Sequence, residues 1–315
     1  LECRRVLFRS IQSKLGARVA FGWRPSDGLR LTLAGDYSRS REEPAPINLL
    51  AYTGGPKPAP ALGDLWNGLV GIPAGTPMSD RFISGDPDTT YGTANPVNDL
   101  DLWGLGLTVS KDLGAAELVS ITGLRGFDAL FGRDGDGTPI DWNQSLNDQK
   151  QRQFSQELRL DGSSFGDRFK WTGGLFYFHE KNIDRNEVQV VPGLWAALES
   201  LPVQLTGAPC VAPFLAPGCA GNPLNANLDL RISAYNRVVG DSYAAFGQGT
   251  LAVTDRLNLT GGMRYSYEEK EYTIEHYRRA SATSIVPLTT VSDHWGSFTP
   301  MASIDYKLAP DVMAY

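Results

Sequence analysis

Apolar and polar positions alternate along this chain in runs that are long for a sheet, and the longest uninterrupted example occupies residues 242–272. Two runs flank the turn Thr254, Asp255, Arg256. In the second, Leu257, Leu259, Gly261, Met263, Tyr265 and Tyr267 fall on one face, while Asn258, Thr260, Gly262, Arg264, Ser266 and Glu268 fall on the other. A period of two sends these sets to opposite faces of one strand. Soluble strands run about 5–6 residues, whereas crossing a bilayer at a tilt takes roughly 9–11, and this alternation outlasts both. The pattern predicts a hairpin with one face suited to lipid and the other to a wet lumen.

The same pattern recurs, so it reads as a repeated unit. Leu29, Leu31, Leu33, Gly35 and Tyr37 alternate with Arg30, Thr32, Ala34, Asp36 and Ser38. Trp103, Leu105, Leu107 and Val109 alternate with Gly104, Gly106, Thr108 and Ser110. Phe154, Leu158 and Leu160 oppose Ser155, Glu157, Arg159 and Asp161, and Ala302, Ile304 and Tyr306 oppose Ser303, Asp305 and Lys307. The rule falters near residues 169–178, where Phe176 and Phe178 take polar-face positions. About ten strands are expected, the last cut off at Tyr315.

The connections fall into two kinds that alternate in order. Tight turns are predicted at residues 25–28, 112–115, 163–167, 254–256 and 309–311, all rich in turn-forming residues. Between them lie long segments near residues 40–100, 129–151, 182–238 and 275–294. Short turns at one end and long loops at the other is the asymmetry of outer-membrane barrels. The predicted fold class is therefore all-β: an antiparallel up-and-down transmembrane β-barrel, present as a fragment of about ten strands.

Composition is compatible with that fold. Hydrophobic residues make up 42% of the 315 residues and mean hydropathy is -0.23. No stretch approaches the roughly 18 apolar residues of a membrane helix, and a closed barrel is the remaining way to pair every backbone polar group inside a bilayer. Trp23, Tyr37, Trp103, Trp171, Tyr265, Tyr267 and Tyr306 sit near predicted strand ends, where an interfacial aromatic girdle falls, although aromatic residues also favour strands in general. A net charge of -6 without a basic patch argues against nucleic acid as a partner.

Candidate chemistry is sparse. The first ten residues, LECRRVLFRS, resemble the in-frame translation of a sequencing-adapter oligonucleotide and are set aside, leaving residues 11–315 as the barrel region. Of the remaining cysteines, Cys210 and Cys219 close a small Pro-rich and Gly-rich ring in a long loop and read as a disulfide formed in an oxidising compartment. A metal site there lacks neighbouring histidines, since His179, His276 and His294 are scattered. Asp134, Asp136 and Asp141 resemble the start of a calcium loop, but Ser145 stands where a bidentate carboxylate is needed, and a solvated turn uses the same residues. No nucleophile elbow, phosphate loop, zinc motif or dinucleotide fingerprint is present, so no catalytic residue and no cofactor are expected. Glu157, Glu268, Glu269 and Glu271 read as barrel-wall carboxylates rather than a glycosidase pair.

Several segments together resemble TonB-dependent outer-membrane receptors: QFSQELRLDG at 153–162, WTGGLFYFHE at 171–180, the hairpin at 242–272 and SFTPMASIDYKLAPDVMAY at 297–315. RVAFGWRPSDGLRLTLAGDYSRSRE at 18–42 is similar to an earlier hairpin of the same barrel. The resemblance implies a barrel of about 22 strands filled by an N-terminal plug. It also implies residence in the outer membrane of a Gram-negative bacterium, contact with outer-membrane lipid, and uptake energised by the TonB complex. Neither the plug nor the TonB-contacting motif is recognised in this sequence. The expected ligand is a small molecule or oligosaccharide, such as a ferric siderophore or a cobalamin, held by loops around residues 48–93 and 192–228. The alternatives are a passive porin and, from another class, a secreted β-rich carbohydrate-active enzyme.

Overall fold

A computed structural model describes residues 13–44, 47–52, 61–92, 97–201, 223–309 and 312–315. Its frame is a single ten-stranded antiparallel sheet in which every strand pairs with its neighbours in sequence. The strands are β1 (Ser13–Ser26), β2 (Leu29–Glu42), β3 (Val97–Asp112), β4 (Ala116–Asp134), β5 (Asn143–Ser164), β6 (Phe169–Val190), β7 (Arg231–Ala252), β8 (Leu257–Arg278), β9 (Ser284–Ala309) and β10 (Val312–Ala314). This is the up-and-down order expected from the alternating short and long connections. The sheet is an open section of a barrel.

The first four tight turns fall where the sequence places them, while residues 310 and 311 of the fifth lie outside the described residues. Gly28, at φ +71°, closes the β1–β2 turn, and a Cβ there would lie 2.9 Å from the Asp112 side chain. At the β5–β6 turn Phe165, Gly166 and Asp167 all take positive φ, and Asp167 accepts a 2.6 Å hydrogen bond from Ser163 Oγ.

The strands outrun the sequence pattern at the other end. β5 to β8 each hold 22 residues, well beyond the roughly 9–11 needed to span a bilayer. The long connections consequently narrow to residues 43–96, 135–142, 191–230 and 279–283. Above the apolar band the outward positions turn charged, so alternation between apolar and polar ceases to mark the strand. Arg185 and Arg237 there look like loop in the sequence, yet the ladder between β6 and β7 continues to Gln189 opposite Arg231.

Register fixes which residues share a face. The row Leu33, Leu107, Thr122, Gln156, Tyr177, Tyr243, Tyr267 crosses seven strands on the apolar side. Gln156 and its neighbour Thr122 explain the gap in the β5 pattern. Thr122 Oγ1 donates to Gln156 Oε1 at 2.6 Å, and Gln156 Nε2 donates to Ser120 Oγ at 3.0 Å and to the Glu157 carbonyl at 2.9 Å. The amide uses its acceptor and both donors inside the protein, so it tolerates an apolar surround that would penalise an unpaired one.

Phe176 and Phe178 do point to the polar face. Gly174 leaves room there: a Cβ on it would come within 2.5 Å of the Phe246 ring. The Arg264 guanidinium lies 5.7 Å from the Phe176 ring centroid and 6.0 Å from that of Phe246, a cation–π sandwich across three strands.

Candidate functional site: the outer loops and the wall beneath them

A sheet exposed on both faces has little interior of its own, and the buried hydrophobic cluster of this molecule lies in its loops instead. Trp66, Met78, Phe82, Val191, Leu194 and Leu198 form that cluster. They come from two connections that are far apart in sequence. Residues 43–96 contribute α1 (Leu62–Trp66) and the single π-helical turn after it, and residues 191–230 contribute α2 (Leu194–Ser200) and α3 (Pro223–Asn227). In α1 and the following turn, Leu62, Leu65, Trp66 and Leu69 recur at helical spacing, which puts them on one side. Leu194 and Leu198 do the same in α2.

Polar contacts lock the loops together. Trp66 Nε1 donates 2.8 Å to the Pro192 carbonyl across the two connections. Asn67 clamps its own loop: Nδ2 donates to the Met78 carbonyl at 2.7 Å and to Tyr52 Oη at 3.1 Å, while Oδ1 accepts from the Met78 amide at 2.8 Å. Burial, with Asp64 nearby, pushes the Tyr52 phenol above its ordinary pKa. The short 135–142 connection joins through the Trp142 carbonyl, which accepts the Val191 amide at 2.8 Å. The 279–283 connection joins through buried Asp229. Its Oδ2 accepts from the Ala280 amide at 2.9 Å, the Ser281 amide at 2.7 Å and Ser281 Oγ at 2.9 Å. All four outer connections thus belong to one cap.

The acidic residues of the 135–142 region act as turn acceptors. Asp134 Oδ1 accepts from the amides of Asp136 and Gly137 at 3.0 and 3.1 Å. Asp136 accepts from Thr138 and from the Asn143 amide, and Asp141 from Gln144 Nε2 at 2.6 Å. Burial nevertheless lifts the Asp136 carboxyl above its usual range, the hydrogen bonds from Thr138 and Asn143 pulling the other way.

The expected ligand-contacting segments, 48–93 and 192–228, meet in this cap wherever they are described. Cys210 and Cys219 lie outside the described residues, as do the first ten. Glu157 is not one of a bare carboxylate pair, for Arg159 lies 3.3 Å from it and 2.8 Å from Asp161. Glu268 holds Lys270 at 2.8 Å, and Glu269 and Glu271 point to the opposite side of β8 from Glu268. Sequence reasoning missed the shared loop core and Asp229, although the apolar helical spacing of residues 62–69 was a usable signal.

Below the cap the polar side of the sheet is zoned. Towards the short turns it carries cross-strand charge pairs, with Arg30 at 2.6 Å from Glu117 and Arg125 at 3.3 Å from Asp36. Nearer the cap the wall of β5 and β6 carries amides and carboxylates, with Asn147 opposite Asn186 and Gln151 opposite Asn182.

The sequence model of the family described as "TonB dependent receptor-like, beta-barrel" matches residues 22–315. This chain belongs to that family. Its apolar side is therefore the barrel exterior and its polar side the lumen wall. Members of the family are transporters, so the carbohydrate-active enzyme alternative falls, and the porin alternative is not favoured. Among solved structures the chain resembles the ferric yersiniabactin uptake receptor FyuA from Yersinia pestis, at TM-score 0.58 and 14% identity over 95% of this chain and 36% of that one. It resembles the open form of the ferric-catecholate import receptor Fiu from E. coli K12 at TM-score 0.57 and 15% identity, covering 95% of this chain and 45% of that one. The copper transporter OprC matches at TM-score 0.53 and 13% identity, over 96% and 35%. At these identities the likeness is one of fold, and the chain spans less than half the length of these neighbours. No curated protein matches by sequence.

Proposed function

We propose that this chain forms part of an outer-membrane receptor that captures a scarce nutrient and imports it with energy from the TonB complex. The observation that carries the reading is the cap: three outer connections folded around one core, with the fourth tied to them through Asp229, at one end of a barrel wall. Loops fixed to one another and to a rigid scaffold present a preformed surface, which lowers the ordering cost of binding. The neighbours named for ferric chelates support a siderophore as cargo, while the copper transporter shows that the fold serves other cargoes. Cobalamin and oligosaccharide belong to the same reading. TonB would engage a plug region lying outside this chain, and the exterior apolar band would sit in outer-membrane lipid of a Gram-negative bacterium.

The test is to express the full-length gene in a Gram-negative host with and without its TonB system. A heat-modifiable protein in the outer-membrane fraction, supporting growth on a limiting nutrient only when TonB is present, is the expected result. Uptake that persists without TonB would overturn the energised mechanism.

A further inference from the structure

We infer that Asn67, with Gly68 after it, is a deamidation site gated by the cap: protected while the cap is closed and modified when it opens. The inference goes beyond the receptor reading and rests on the geometry of the outer connections. Asn67 and Gly68 form the one asparagine–glycine step in the sequence. Asparagine loses its amide most readily before glycine, because glycine has no Cβ to hinder its nitrogen from reaching the asparagine side chain. The Gly68 nitrogen forms a bond to Asn67 Cγ, the Cγ–Nδ2 bond breaks, and the proton released by the Gly68 nitrogen leaves with Nδ2 as ammonia. Water then opens the cyclic imide at either carbonyl, leaving aspartate or the isomer in which the main chain runs through the side-chain carboxyl.

The closed cap withholds the reacting groups. Asn67 opens the π-helical turn after α1 with its own backbone helical, at φ -57° and ψ -45°. Nδ2 donates to the Met78 carbonyl at 2.7 Å and to Tyr52 Oη at 3.1 Å, and Oδ1 accepts from the Met78 amide at 2.8 Å, so the amide is fixed towards residues 52 and 78. Gly71 closes in behind it: a Cβ there would lie 2.8 Å from Asn67 Oδ1 and 2.6 Å from the Trp66 ring. To form the imide, Cγ must swing onto the Gly68 nitrogen, which breaks all three hydrogen bonds and draws the backbone out of its helical turn. Water is already at hand, since Gly68 is exposed and, chain neighbours apart, no atom lies within 4 Å of where its Cβ would sit. The clamp rather than solvent access is therefore the barrier. It sits beside Trp66, whose indole ties this connection to Pro192.

The product cannot rebuild the clamp. An ionised carboxylate accepts hydrogen bonds and donates none, so the Met78 carbonyl loses its donor and faces a negative oxygen instead. Asp64, whose charge already acts on the Tyr52 phenol, adds a second carboxylate to the same turn. The isomerised product also lengthens the main chain by a methylene inside a turn packed against Trp66. Deamidation thus converts a transient opening into a permanent loosening of the first connection, and the state of residue 67 records how often the cap has opened.

The test follows the full-length receptor in nanodiscs at mildly alkaline pH by peptide mass spectrometry, which reads the mass gain of amide-to-acid conversion at residue 67 over time. Each chain is also measured unfolded in urea. The folded parent should react far more slowly than the unfolded chain. Trp66→Ala, which opens the cap, should react about a hundredfold or more faster than the folded parent, and Trp66→Phe, which loses only the bond to Pro192, about fivefold faster. Unfolded, both variants should match the unfolded parent. Gly68→Ala, whose added methyl meets no neighbour, should keep the clamp and slow the reaction in both states. Hydrogen exchange on parent receptor aged until residue 67 is converted, a route that avoids refolding an Asn67→Asp variant, should show residues 47–52 and 61–82 losing protection. The inference is overturned if the folded parent reacts as fast as the unfolded chain, if neither Trp66 variant reacts faster than the parent, or if the aged receptor is as protected as the fresh one.

Discussion

Trp66 is the residue on which the unity of the cap is most directly tested. It is 3% exposed, contributes the largest ring of the loop core, and its indole N–H is the bond from the first outer connection to Pro192 in the third. Trp66→Ala removes a buried aromatic at a typical cost of about 3–5 kcal/mol, part of which is the Pro192 carbonyl left without its donor. At 1.4 kcal/mol per power of ten, local opening of the cap becomes about a hundredfold to a few thousandfold more frequent. The strands should not feel it, because their stability lies in the ladders between them and, among the described residues, the cluster reaches the sheet near Val190 and Leu230. Hydrogen exchange on the full-length receptor in nanodiscs reads both regions at once. Loss of protection in residues 61–82 and 191–201, with β5 to β8 unchanged, is expected. Trp66→Phe, which keeps most of the apolar contact and loses only the hydrogen bond, should cost about 1 kcal/mol. Unchanged loop protection in Trp66→Ala, or an equal loss throughout the strands, would refute the idea of a separate loop core.

Two further outcomes follow from the geometry. Thr122→Val leaves Gln156 Oε1 without its donor on the lipid side and should destabilise the barrel by about 1–3 kcal/mol in urea unfolding from vesicles, whereas adding Gln156→Leu should recover most of that loss; additive effects would show that the Ser120–Thr122–Gln156 network carries no coupling. Burial raises the Asp136 carboxyl, so the folded loop holds a proton at pH values where the unfolded loop has released it. Stability of residues 135–142 should accordingly be greatest below the ordinary carboxyl pKa and fall as pH rises through the raised one. Asp136→Asn should remove this pH dependence from exchange rates corrected for intrinsic chemistry, and its persistence would mean another group titrates there.

The hairpins were legible because a period of two leaves a direct trace in sequence wherever one side meets lipid and the other water. Leu257 to Tyr267 and, among their partners, Ala302 to Tyr306 read correctly from alternation alone. The turns were equally legible from their glycines, prolines and aspartates. Where both faces are polar the trace vanishes, and for that reason the outer ends of β6 and β7 looked like loop until pairing revealed them. Phe176 also broke the rule, since nothing local announces that Arg264, two strands away, will lie over its ring.

What the sequence determined by itself is the fold class, the strand alternation and the sorting of short and long connections, because each depends on residues within about twenty positions of one another. Only the tertiary structure decided how the outer connections assemble into one cap. Trp66 meets Pro192 across 126 residues and Ser281 meets Asp229 across 52. Such contacts depend on which strand lies beside which and at what offset, a property of hydrogen-bonded pairing between distant segments that no local run of residues encodes.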